Sequence, residues 1–182
     1  MSRTDARIRY TQGVLKQALL SFLKEKPINK ITVKEVCERA ELNRATFYAH
    51  YSDCFALLES IEEDLLEAFQ QSLKLVDSFD VTALIEAIYT MIEQQQEACR
   101  VLIFQNVCPN VLRRMISLAR GKSIAYWKQH LHRVTDAELE MLYTHLSNGL
   151  MHVVVEGYEK YSREEVVRFV NRIVQCSLSQ FQ

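Results

Sequence analysis

Glycine and proline are scarce, at 4 and 2 in 182 residues. That excludes collagen-like and loop-dominated architectures and argues against sheets punctuated by many turns. No run of 18 apolar residues occurs, so no segment reads as a membrane span. The opening MSRTDARIRYTQ lacks the apolar centre of a secretory signal. The five cysteines, Cys37, Cys54, Cys99, Cys108 and Cys176, are odd in number and contain no C-x-x-C pair. Neither a disulfide framework nor a zinc knuckle is implied, and the expectation is a cytoplasmic chain with reduced thiols. Nucleophile elbows, glycine-rich phosphate loops and paired catalytic carboxylates are also missing, so an enzyme is not expected.

Abundant Leu, Glu, Gln, Lys and Ala, many of them at helical spacing, predict an all-α protein. The net charge of −1 conceals an uneven distribution. Residues 1–54 carry ten Lys/Arg against six Asp/Glu, and the remainder twelve against seventeen. A basic first third on an acidic remainder places any polyanion contact near the N-terminus.

The first helix is expected over about 5–25, with Ile8, Leu15, Ala18, Leu19, Phe22 and Leu23 on one stripe, stopped by Pro27 and Asn29. Thr32 and Glu35 have capping-box spacing for a short helix to about Ala40. Asn43 caps a second short helix to about Tyr51, and Asp53 a long one bearing Leu58, Ile61, Leu65, Phe69 and Val76. Further helices are expected at about 81–96, 98–106, Pro109 to Leu131, Asp136 to Glu159, and from a Ser162–Glu165 cap to about Ser179.

Two short helices braced by a third form a helix-turn-helix unit. Val36, Ala40, Leu42 and Phe47 supply its apolar contact, while Asn43, Arg44, Ala45, Thr46, Tyr48, Ala49 and His50 are left facing outward. That is too many outward residues for a core helix, and it suits one laid into a DNA major groove. The stretches ITVKEVCERA, Leu42-Asn43-Arg44 and TFYAHY resemble the DNA-binding domain of the tetracycline-repressor (TetR) family over roughly residues 8–60. The run Asn-Arg-x-Thr-Phe-Tyr-x-His-Tyr further resembles the branch that includes dihydroxyacetone-kinase regulators.

The resemblance implies an N-terminal DNA-binding domain over 1–53 and a helical effector-binding and dimerisation domain over 54–182. It implies a homodimer on a palindromic double-stranded operator, acting as a repressor under a small-molecule effector or protein co-regulator, with no cofactor and no membrane partner. Arg44 and Lys34 stand where base-reading side chains sit, Ala45 where a methyl meets thymine, and Thr32, Thr46, Tyr48 and His50 where phosphates are gripped. Phe47 and Tyr51 are expected to point into the domain core. Two positions depart from the family pattern: Glu41 replaces a turn glycine, and Cys54 a lysine that contacts phosphate. A thiol at a helix start raises the alternatives of a reactive sensor and a small packed residue.

Beyond residue 54 the residues say less. Tyr89, Phe104, Cys108, Tyr126, Trp127 and His130 are candidates for a ligand cavity, and each of them reads equally as ordinary core. His130 and His132 face opposite sides of a helix, and His145 and His152 stand two turns apart, so no metal site is expected. The family resemblance implies that the last two long helices pair with their mates in a second subunit, and LYTHLSNGLMHVVVEGY and REEVVRFVNRIVQCSL supply apolar surface for such a four-helix interface, with Gly149, Val153 and Gly157 permitting close approach. The rival reading keeps this fold but acts through a protein partner, for example as a co-activator with a kinase-like subunit.

Overall fold

The structure, a computed structural model, describes residues 3–74, 81–105 and 107–181. All regular elements among them are helical: α1 Arg3–Leu23, α2 Val33–Arg39, α3 Arg44–Tyr48, α4 Cys54–Lys74, α5 Val81–Gln94, α6 Gln96–Cys99, α7 Pro109–His130, α8 Asp136–Gly157 and α9 Arg163–Leu178. Val76 lies outside the described residues. The all-α expectation holds, and starts are placed more closely than ends because side-chain caps mark them. Thr32, Thr135 and Ser162 each build a full capping box with the Glu three residues on. Pro109 occupies the first position of α7, where its missing N–H costs nothing.

The chain divides into two compact units, Met1–Leu65 with Glu97–Cys108, and Leu66–Gln96 with Pro109–Gln182. The α4 helix contributes residues to both. In the first unit Leu15, Leu19, Val36, Phe47 and Leu57 are wholly buried. Burial of this kind contributes roughly 1.5–3 kcal/mol per large side chain. Ile8, expected on the buried stripe of α1, is 39% exposed, because the first turns of α1 run clear of the core. Phe22 is only half-buried; its ring lies under the Arg39 guanidinium at 4.4 Å and beneath Lys26 at 5.2 Å.

Where one short helix was expected near 98–106, α6 passes into a wide π turn over Arg100–Phe104. The Gln105 N–H donates to the Arg100 carbonyl five residues back, and Val101, Leu102 and Ile103 are buried in succession.

In the second unit α7 packs on α8, and α5 and α8 pack on α9. Arg163 ties the start of α9 to α5: Nε donates to Glu86 at 3.0 Å, and the guanidinium lies 5.1 Å over the Tyr89 ring. Gly157 is buried at the close of the α8–α9 hairpin, where an added Cβ would meet Val166 Cγ2 at 3.1 Å. Its small size therefore serves a crossing within the chain, and Gly149 is the glycine left open on that stripe.

Candidate nucleic-acid interface

α2 ends in a Schellman turn. The Leu42 N–H donates to the Cys37 carbonyl at 2.9 Å and the Glu41 N–H to Glu38 at 3.3 Å, satisfying carbonyls the helix leaves open. Glu41 takes the left-handed position with φ 54°, so the turn keeps the geometry that a glycine would serve and carries the strain of a Cβ.

Asn43 then caps α3: Oδ1 accepts from the Thr46 N–H at 2.7 Å and from its hydroxyl at 2.9 Å. At 100° per residue, Arg44, Ala45, Tyr48 and Ala49 fall within an arc of about 140°, with Phe47 opposite. Burial follows that division: Phe47 is wholly buried and Tyr51 is 8% exposed, while Arg44, Ala45, Tyr48 and Ala49 are exposed. The Phe47 ring meets Tyr48 edge-on at 5.7 Å and Tyr51 at 6.0 Å. The helix closes at Tyr48 with Ala49 as its C-cap, shorter than the expected end near Tyr51.

The expected outward set separates into three groups. Arg44, Ala45, Tyr48 and Ala49 face solvent, and Arg44 makes no ion pair among the described residues. Asn43 is exposed, but its side chain and the half-buried Thr46 hydroxyl are engaged in the cap. His50 is half-buried with its ring 6.3 Å from Tyr51. On α2, Thr32 is committed to its capping box with Glu35, and Lys34 is exposed 3.7 Å from Glu38, a surface pair that a phosphate can displace. Phe55, which the sequence reading did not single out, is 57% exposed in the first turn of α4.

Cys54 is 4% exposed, and burial, then the neighbouring Asp53 charge, pushes its thiol up to about 11. A thiol so held is almost entirely protonated at neutral pH, which favours the packed residue over the reactive sensor. Asp53 takes over the cap of α4, its carboxylate accepting from the Ala56 N–H at 2.8 Å.

In the second unit a cavity of about 100 Å³ lies among α4, α5, α7, α8 and α9. Of the six ligand candidates only Trp127 lines it, with its ring 5.9 Å from Tyr143. Tyr89 is buried elsewhere in this unit, stacked on Tyr158 at 5.2 Å. Tyr126 and the exposed His130 stack on one another at 4.2 Å. Phe104 and Cys108 belong to the first unit. The polar members Ser123, Tyr143 and Ser147 escaped the sequence reading, although the i, i+4 spacing of Tyr143 and Ser147 beside Leu146 and Leu150 on α8 was an available signal.

No family model matches the sequence. Over 62 residues, 34% of this chain, it is 39% identical to an uncharacterised helix-turn-helix-type transcriptional regulator, YxbF, of Bacillus subtilis (strain 168). The match takes in only 16% of that protein's length. Among solved structures, a TetR transcriptional regulator from Streptococcus agalactiae 2603V aligns over 94% of this chain and 97% of its own, with TM-score 0.70 and 22% identity. The dihydroxyacetone kinase operon activator DhaS aligns over 94% and 98%, with TM-score 0.64 and 14% identity. A TetR family regulator from Marinobacter aquaeolei VT8 aligns over 92% and 95%, with TM-score 0.56 and 16% identity. The chain has the fold of the TetR-family transcription regulators, and the Bacillus subtilis protein it matches in sequence is also described as a transcriptional regulator. Among the described residues no helix is long and apolar enough to cross a membrane.

Proposed function

We propose that this chain is a TetR-type DNA-binding regulator that reads a palindromic operator as a homodimer. The observation that carries the proposal is the division of α3 into a face locked by Phe47 and a face presenting Arg44, Ala45, Tyr48 and Ala49. Arg44 reads a guanine edge, Ala45 and Ala49 allow close approach, and Tyr48, His50 and Lys34 take phosphates. Thr32, Asn43 and Thr46 hold the two short helices at the groove. The DNA-reading part spans 1–53 and the effector and dimerisation part 54–182. Repression is the simplest outcome, since it needs only occupancy of the operator.

Dimerisation is supported by apolar side chains left in solvent on the last two helices, Met141 at 63%, Phe169 at 43% and Ile173 at 38% exposed. A two-fold dimer presents two copies of α3 and so reads inverted half-sites.

A gel shift on the DNA upstream of its own gene, repeated across a salt series, tests the function. Binding that falls steeply with salt and a dimeric mass at micromolar concentration are the expected results. No shift with the full chain overturns DNA binding, and a monomeric mass overturns the homodimer.

A further inference from the structure

The cavity in the second unit is selective in its chemistry. None of the described residues lining it is charged. The Tyr143 hydroxyl is already committed, donating to the Ile116 carbonyl at 2.6 Å. Ser147 Oγ is buried beside that phenol, near enough to bear on its titration, yet it makes no well-formed hydrogen bond among the described residues. A buried hydroxyl left unmatched is costly, and a ligand that matches it removes the cost. Arg120, the cation whose charge acts on Tyr143, is paired with Glu140, its Nε 2.9 Å from the carboxylate. An anion entering here would lose its water without gaining a free countercharge.

The volume sets the size. An apolar cavity of about 150 Å³ accommodates benzene with room to spare, and this one, at about 100 Å³, is tighter and limits its ligand to a single six-membered ring at most. We infer that the cavity binds a compact, uncharged, largely apolar molecule bearing one hydrogen-bonding oxygen, of the phenol type, with that oxygen on Ser147 Oγ. That such a ligand acts as the effector rests on the regulator reading; the binding itself does not.

Trp127, the single tryptophan of the chain, lines the cavity and reports its occupancy by fluorescence. The full-length protein is titrated with phenol, benzene and benzoate. Phenol is expected to change Trp127 emission saturably, benzene to bind roughly three- to tenfold more weakly, and benzoate not to saturate. Ser147→Ala, which removes only the unmatched hydroxyl, should fold as stably as the parent and lower phenol affinity to the level of benzene. Benzoate binding as tightly as phenol, unchanged phenol affinity in Ser147→Ala, or no saturable phenol response each overturns the assignment. A gel shift at saturating phenol is read separately. Phenol binding by a chain that shifts no DNA overturns the regulator reading alone, and operator binding without a phenol response overturns the cavity assignment alone.

Discussion

The Asn43 carboxamide holds both the backbone N–H and the hydroxyl of Thr46, at 2.7 and 2.9 Å, and so fixes the start of a helix only five residues long. Isolated helices of that length do not persist in water. Asn43→Ala should therefore lower stability by about 1 kcal/mol, while Asn43→Asp or Asn43→Ser keeps most of it. Urea midpoints with an unchanged m value check this.

Arg44 and Tyr48 share the exposed face, and the proposed function gives them different work. Arg44→Ala should relax sequence preference at one base position in each half-site, costing on the order of 1–3 kcal/mol there. Tyr48→Ala should weaken all sequences alike. Binding measured over a panel of single-base operator variants separates the two, and an Arg44→Ala loss spread evenly over the panel would remove the base-reading role.

Glu41 at φ 54° holds a position where glycine relieves steric strain of roughly 1–2 kcal/mol, partly offset by the greater freedom of glycine in the unfolded chain. Glu41→Gly is expected to stabilise by about 0.5–1 kcal/mol. A lower thermal midpoint for this variant would show that the turn is not strained.

Glu35 is hydrogen-bonded by Lys26 Nζ at 2.6 Å and by both donors of Thr32, and these hold its carboxyl down at about 2, against an ordinary 4.5. In this range the unfolded chain binds the proton more readily than the folded one, so stability rises with pH. The contribution is complete above about pH 4.5 and is lost as pH falls through the folded value near 2. Glu35→Gln should flatten that acid limb, as followed by helix content from pH 6 to 2.

Cys54 should react slowly with iodoacetamide at pH 8 in the folded protein and rapidly in urea, because burial holds the thiol at about 11. Equal rates, read by mass spectrometry, would revive the sensor.

The helix starts between Arg3 and Cys54 were legible to within a residue or two because their signals are local. Thr32-x-x-Glu35, Asn43 and Asp53 mark helix starts through side chains that act within three residues. The split between Phe47 and Tyr48 follows from helical rotation alone. The cavity was not legible. Phe69, Ile88, Trp127, Ser147 and Val174 are brought together by helices distant in sequence, and aromatic residues by themselves do not say which of them face a void. Tyr89 illustrates this: it is buried like most of the cavity residues, yet it lies under Arg163. The π turn at Arg100–Phe104 left no trace in the sequence either, since its three consecutive buried residues read like any apolar run.

The duties on α3 are assigned to separate side chains. Asn43, Thr46 and Phe47 keep it folded and docked, and Arg44, Ala45, Tyr48 and Ala49 have no part in the cap or the buried core. Exchanges at those four positions escape the large penalties attached to buried or capping sites. The surface that would choose the operator can thus drift by single steps, each leaving a folded protein, and descendants of this chain could acquire new target sequences without rebuilding the domain that presents them.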